Sequence, residues 1–318
     1  MKKLWRIFRW PLYGLLAAFA VILAVGLWRY WTRPAPEKPV PEIPDAIVYH
    51  TDCIVHSLDA GGDSLEAWPI DARGLSVAAF RSQLVEIGHD DALLWAVGEH
   101  DWLVTWRKDG GKVSLAAMMD AFLSFDEEGE RDGGVGCVSV ADLFASYVGT
   151  VAEISGAFAA LKPTDKVAPE MFVTREIPAL SWLDTAEVEP DIAKDVLTDY
   201  RRMQSARRQL LNGTLRSYAG DGDAALELWA KAAKLNRYDP MLQERLFHLR
   251  KNAEVFLKIG KYGMASSCFE TYVCICPDDY PATVNLATCL DKLGKREMAA
   301  ELYRRAETLR ARFTAPGE

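Results

Sequence analysis

Two groups of residues carry side chains that could bind a metal ion. His50 and His56 lie six residues apart, and His89 is followed directly by Asp90 and Asp91. Histidine nitrogens and carboxylates are zinc ligands, but a zinc site needs three or four ligands that converge. Neither spacing defines such a set of ligands. Histidines in loops are, in addition, usually exposed to solvent and bind no metal. The sequence therefore predicts no metal site.

The tripeptide Glu99-His100-Asp101 offers an acid, a base and an orienting carboxylate side by side. General acid-base catalysis needs such groups within hydrogen-bond reach of one reacting atom. Adjacent side chains on a turn point in different directions, however, and the chain has no Gly-x-Ser-x-Gly nucleophile elbow. The tripeptide is interpreted as a solvated turn, and neither a catalytic residue nor a cofactor is predicted.

The chain contains six cysteines and no Cys-x-x-Cys pair or zinc-type spacing. Buried free thiols are the expected state. A bridge between Cys268 and Cys289 is the alternative in an oxidising compartment. The six positions are Cys53, Cys137, Cys268, Cys274, Cys276 and Cys289.

The charge balance argues against nucleic acid as a partner. Acidic residues outnumber Lys and Arg by 45 to 37, whereas a nucleic-acid-binding protein is expected to have a basic surface. Two arginine pairs, Arg201-Arg202 and Arg207-Arg208, could bind an acidic partner or lipid headgroups. The alternative is a charged helix face that is simply solvated.

The elements that position these residues begin with an apolar segment near the N-terminus. Residues 10–28 are uncharged, and 19 residues in a helix span roughly 28 Å, enough to cross a bilayer core. We expect a cytoplasmic tail over 1–9 and an uncleaved transmembrane anchor over 10–31, since the cleavage site of a signal peptide is missing. The basic tail predicts a single-pass inner-membrane protein with its body outside the cytoplasm, in the periplasm.

Residues 32–45 are rich in proline and predict a semi-rigid stalk. A small α/β (α+β) domain is expected to follow over residues 46–190. Its predicted strands are 46–50, 53–55 and the hairpin pair 92–97 and 102–106. Its predicted helices start after Ser76 and cover 115–125 and 140–161, with a Gly61-Gly62 turn and a loop at 126–136.

Part of this domain resembles the end of the spermidine-synthase-like domains that are fused to bacterial membrane segments. The resemblance covers residues 70–175 and depends on residues 77–81, 93–98 and Pro163-Thr164-Asp165. It implies a fold relationship to aminopropyltransferases, but the Gly-rich cofactor loop of that family is missing. A diverged member that is inactive, or that needs a partner chain for its cofactor site, is the alternative function.

The C-terminal part repeats itself with a period of 34 residues. When the 34-residue segments that start at Leu246 and Tyr280 are aligned, their small residues, glycines, aromatic residues and prolines fall at matching positions. A less regular third copy precedes them, with about six extra residues near 240–245. This pattern resembles the tetratricopeptide repeat over residues 206–311. The recurring positions are Gly220, Ala225, Trp229, Gly260, Ala265, Phe269, Pro277, Gly294, Ala299 and Tyr303.

The predicted fold class is therefore mixed: a transmembrane helix, a small α/β domain and an all-α repeat stack over residues 191–318. The repeat resemblance implies a membrane-anchored scaffold that binds another protein or peptide and is not catalytic alone. The residues expected to line its groove are Gln209, Asn212, Arg216, Asn252, Phe256, Asn285 and Thr288.

Overall fold

The computed structural model describes residues 45–59, 64–128, 137, 139–173 and 175–314. The predicted tail over 1–9, the anchor over 10–31, nearly all of the stalk and the Gly61-Gly62 turn lie outside these residues. So does most of the loop predicted for 126–136. All described residues belong to one compact unit, residues 43–318.

The first half combines a small sheet with short helices. Four strands form an antiparallel sheet in the order β1-β3-β2-β5, and β4 and β6 form a separate two-stranded parallel pair. The elements in chain order are α1 (Asp45–Leu58), β1 (Leu65–Asp71), α2 (Val77–Ile87), β2 (Leu93–Ala96), β3 (Asp101–Arg107), β4 (Val113–Ser114), α3 (Leu115–Glu128), α4 (Val140–Leu143), β5 (Tyr147–Thr150), α5 (Val151–Phe158) and β6 (Leu183–Asp184).

Helices cover both faces of the sheet, and the sequence of β2 shows why. Side chains alternate between faces along a strand, yet all four residues of β2 are buried. Leu94 and Ala96 belong to the apolar cluster that contains Phe80 of α2. Leu93 and Trp95 belong to the second cluster, which contains residues of α1 and α3. A continuous apolar run is the pattern of a strand buried on both sides.

The predicted hairpin is confirmed. β2 pairs with β3 in an antiparallel register that places Leu94 opposite Val104. The predicted start of a helix after Ser76 is confirmed as well. Ser76 Oγ accepts a hydrogen bond from the Ala79 amide and so caps the N-terminus of α2.

The strands predicted for 46–50 and 53–55 are wrong, since these residues form α1. Their β-branched and aromatic residues favour strands, but the intrinsic preference is weak against tertiary packing. The buried positions of α1 recur at helical spacing, which puts them on one face toward the second cluster. They are Ala46, Ile47, His50, Cys53, Ile54, Ser57 and Leu58.

The single helix predicted for 140–161 is also wrong, because strand β5 interrupts it. Gly149 has a φ of 141°, outside the helical region. Helix α5 then starts at a capping box: Thr150 Oγ1 accepts from the Glu153 amide, and the Glu153 carboxylate accepts from the Thr150 amide. Residues 140–161 are thus two short helices on either side of an edge strand.

The second half consists of three helical hairpins. Helices pack against their neighbours within and between hairpins, so the structure is a helical repeat. The six helices are α6 (Pro190–Tyr218), α7 (Gly222–Leu235), α8 (Pro240–Lys258), α9 (Tyr262–Ile275), α10 (Tyr280–Lys292) and α11 (Arg296–Thr314).

Small residues and glycines explain the hairpins. Ala225, Ala265 and Ala299 are buried on the second helix of each hairpin, where a larger side chain would hold the helices apart. The three turns contain Gly220, Gly260 and Gly294 with φ values of 81°, 73° and 79°. An L-residue with a side chain avoids this region, so glycine ends each first helix. The expected six-residue insertion at 240–245 is helical and forms the first turns of α8.

The predicted fold class is corrected. The described residues are mostly helical with a small sheet, and none of their helices is long and apolar enough to cross a membrane. The segment predicted as the anchor, 10–31, lies outside the described residues. The predicted single-pass membrane localisation is corrected as well, because no helix among the described residues is long and apolar enough to cross a membrane.

Candidate functional site

A buried ion pair within the repeats is also bonded to the first half of the chain. Arg207 on α6 lies 2.6 Å through Nε from Asp239 Oδ2, and the two side chains are only 6% and 3% exposed. Arg207 also donates to the Ala96 carbonyl at the end of β2, at 2.7 Å. Asp239 caps α8 by accepting from the amides of Met241 and Leu242. One guanidinium therefore connects the sheet, α6 and α8.

Gln204 makes a second polar connection one turn earlier on α6. Its amide nitrogen donates to the carbonyls of Phe144 and Tyr147, at 2.8 and 2.9 Å. Phe144 lies between α4 and β5, and Tyr147 is the first residue of β5, so Gln204 bonds the main chain where this edge strand begins. The face of α6 that would be free in an isolated repeat is thus covered by the chain's own first half.

The turn at Glu99-His100-Asp101 is not the solvated turn that the sequence predicted. The Glu99 carboxylate accepts from Arg245 at 2.8 Å and from Tyr218 at 3.3 Å. The Glu99 amide donates to the Glu244 carboxylate at 2.7 Å. Burial raises the pKa of Glu244 and of Asp101. The turn holds the β2-β3 hairpin against α6 and α8.

His50 is the centre of a buried polar chain. Its Nε2 lies 2.9 Å from Ser146 Oγ, and its Nδ1 lies 3.1 Å from Cys137 Sγ. Burial, with the nearby charge of Arg207, lowers the pKa of His50 to about 3, so the imidazole is neutral. A neutral histidine between a hydroxyl and a thiol resembles a base beside a nucleophile. All three side chains are buried, however. We therefore interpret these polar contacts as structural, because they attach α1 to the segment between α4 and β5.

The other residues with metal-binding chemistry are dispersed. His56 packs against Phe125 with its ring tilted and lies within hydrogen-bond distance of Ser124 Oγ, whereas His89 stacks on Trp106. Within the described ranges no group of three or more His, Cys, Asp or Glu residues could hold a metal ion. All six cysteines are free thiols, so the alternative of a Cys268–Cys289 bridge is not realised.

The seven residues predicted to line a groove are spread over α6, α8 and α10. Asn212, Arg216 and Asn252 are exposed, and the other four are half-buried. Phe256 packs against the apolar cluster of the repeats, and Thr288 Oγ1 lies 3.2 Å from Tyr303 Oη on α11. These two therefore contact neighbouring helices.

Sequence reasoning missed an exposed face on α8. Phe247, Val255 and Ile259 are 37%, 48% and 58% exposed, although all three are large and apolar. At about 100° per residue, Lys251 and Lys258 fall within the same arc of about 120°. The Lys251 ammonium lies 5.3 Å from the centre of the Phe247 ring. We call these five residues the α8 face. The sequence contains a signal for it, because Phe247, Val255 and Ile259 are spaced by multiples of four residues.

The fold and this face define a helical-repeat protein with a small sheet packed against its first repeat. No protein-family model matches the chain, and no curated protein matches it. Two crystal structures of MamA are similar to 41% and 40% of this chain and to 69% and 72% of their own, with 18% identity and TM-scores of 0.21 and 0.22. No function follows from a likeness of this size. The resemblance to spermidine-synthase-like domains has no support in these comparisons.

Proposed function

We propose that this protein is a scaffold whose repeats bind a segment of another protein through the α8 face. The observation that carries the proposal is the exposure of Phe247 and Val255 on one side of α8 and of Ile259 at the C-cap of the same helix. Burying apolar surface stabilises a complex by roughly 25 cal/mol per Å². Large apolar side chains that share a helix face therefore favour a partner helix or strand.

The charges of the α8 face define the chemistry of this partner. Lys258 is exposed and has no acidic partner among the described residues, as is also true of Lys261 in the next turn. Lys251 lies between Phe247 and Val255 along the helix. A segment that alternates apolar side chains with Asp or Glu complements both properties. We therefore assign an acidic, amphipathic segment of a second protein as the occupant.

The predicted groove contributes at one edge of this surface. Asn252 is exposed and borders the arc of the α8 face. Asn212 and Arg216 lie exposed on α6, where they would extend the surface toward the first repeat. Phe256 and Thr288 support the packing of the helices rather than the partner.

Selection from a random peptide library displayed on phage tests the proposal with the full chain. Enriched peptides should share apolar residues at helical or alternating spacing together with Asp and Glu. Their affinity for the Val255→Asp variant should fall by at least about tenfold, because the substitution places a like charge and removes an apolar contact.

Val85 provides the matched control. It is an equally apolar, exposed residue on α2, far from the repeats in sequence. Val85→Asp should leave peptide binding unchanged. If no peptide is enriched, or if both variants weaken binding equally, the α8 face is not the binding surface.

A further inference from the structure

A small cavity lies where α6 meets the first half of the chain. Its volume is about 40 Å³. Apolar side chains form part of its lining, among them Val148, Phe172 and Leu211. Three guanidinium groups, from Arg175, Arg207 and Arg208, also reach it. An apolar cavity with three cations is not explained by packing of the repeats.

The three arginines differ in how their hydrogen bonds are satisfied. Each of the three nitrogens of the Arg207 guanidinium has a partner: Asp239, the Ala96 carbonyl and Ser146. Arg208 donates to the carbonyl of Arg175. Arg175 Nη1, in contrast, is buried and has no hydrogen-bond partner in the described part of the chain. A buried donor without a partner is uncommon in folded proteins, and a bound ligand or a water molecule can supply the acceptor.

Carboxylates of the chain do not balance this charge. Neither Arg175 nor Arg208 forms an ion pair within the described ranges. Glu176 also lines the cavity, but it is exposed to solvent. The Arg175 guanidinium lies 5.9 Å from the centre of the Phe172 ring, which leaves its edge free to donate. The cavity is therefore positively charged and has an open donor.

The size of the cavity limits the ligand. One water needs roughly 10–15 Å³ of such space, so about three waters would fill the cavity. A carboxylate has a similar size and accepts paired hydrogen bonds from guanidinium groups. Tyr147, whose buried hydroxyl also has no hydrogen-bond partner among the described residues, lines the same cavity. The apolar wall fits the carbon next to a carboxylate, which phosphate lacks. We propose that this cavity binds the carboxylate end of a small organic acid, with Arg175 as its main partner.

Titration of the full chain with propionate, followed by saturation-transfer NMR of the propionate signals, tests the site. We expect saturable binding, and no binding of propionamide, which has the same shape without the charge. Arg175→Gln should weaken propionate binding by about tenfold or more, whereas Arg175→Lys should retain part of it. Arg201→Gln, an exposed charge removal on α6, should have no effect.

Each result decides the proposal once far-UV circular dichroism has shown that the variants are folded. Loss of binding in Arg175→Gln with retention in Arg201→Gln supports it. Absence of saturable propionate binding overturns it, as does equal binding of propionamide. If inorganic phosphate binds more tightly than propionate at the same residue, the assignment to carboxylates is wrong. If Arg175→Gln does not fold, propionate binding by Arg175→Lys is compared with binding by Arg201→Gln. Unchanged propionate binding in both variants overturns the proposal.

Discussion

Arg207 Nε lies 2.6 Å from Asp239 Oδ2, and this pair connects the end of β2 to the N-terminus of α8. Both side chains are almost fully buried, so their desolvation is offset only while both are present. The pair explains why the sheet and the repeats form one unit, because each partner also bonds the main chain of a different element.

Removing one partner of this pair should strongly destabilise the protein. Arg207→Met leaves the Asp239 carboxylate buried without its cation, and such losses amount to about 3–5 kcal/mol. Urea denaturation followed by circular dichroism measures the change. Arg202→Met on the same helix removes an exposed pair with Asp199 and should cost less than about 1 kcal/mol. Equal effects of the two variants would show that the buried pair does not hold the halves together.

The stability of the protein should depend on pH through Glu244. Burial raises its folded-state pKa above the unfolded value of 4.5. The stabilisation from the protonated form is therefore present below pH 4.5 and is lost as pH rises through the folded pKa. Glu244→Gln removes this loss, and the glutamine oxygen can still accept from the Glu99 amide. The stability of the variant relative to the natural protein should rise as pH increases from 4.5 through the folded-state pKa of Glu244.

Glu227→Gln is the control with the opposite sign. The hydrogen bond from Lys231 lowers the pKa of Glu227, so its stabilisation is present above the unfolded pKa and is lost as pH falls. The relative stability of this variant should fall as pH rises from the lowered folded-state pKa of Glu227 to the unfolded value of 4.5. Chemical denaturation at several pH values measures both. Curves that run parallel to the natural protein for both variants would contradict the assignment.

Gly213 should not tolerate a methyl group. A Cβ at this position would lie 2.6 Å from the Trp229 ring, so α6 and α7 would have to move apart. Overpacking of this kind costs about 1–3 kcal/mol. Gly156→Ala in α5 is the matched control, because nothing lies within 4 Å of its Cβ. It should stabilise by up to about 1 kcal/mol through helix propensity. Thermal unfolding distinguishes them, and a stabilised Gly213→Ala would mean that the hairpin packs differently.

Thiol reactivity should follow burial. Cys274 is exposed, whereas Cys53, Cys137 and Cys289 are buried. Burial raises the pKa of Cys289, which further reduces the thiolate that reacts. Alkylation of the native protein with iodoacetamide should label Cys274 first and the four buried thiols, Cys276 included, only after unfolding. Mass spectrometry of timed digests measures this, and rapid labelling of Cys53 would contradict the position of α1.

The sequence predicted those elements whose signals are local. The hairpin at 92–106 follows from two apolar runs around a polar turn, and the repeat turns follow from glycines at a fixed spacing. Helix α1 was mistaken for strands because Ile47, Val48 and Ile54 favour strands in isolation. The helical spacing of its apolar residues was readable and should have outweighed propensity.

Other features depend on contacts that no local pattern contains. Strand β5 has four residues and is formed by pairing with β2, more than fifty positions earlier in the chain. The tip at Glu99 looks like any polar turn until Arg245 and Tyr218 meet it from the repeats. The cavity beside Arg175 is made by segments distant in sequence. Such sites follow from tertiary packing alone.

The proposed binding of a partner at the α8 face can be measured most directly by site-specific photo-cross-linking in the cell of origin. A benzophenone amino acid replaces Val255 in one variant and the exposed Val85 in another. The account predicts a discrete cross-linked product at position 255 and not at position 85, with the cross-link mapped by mass spectrometry to an acidic, apolar segment of a second protein. No product at position 255, or the same products at both positions, would contradict it.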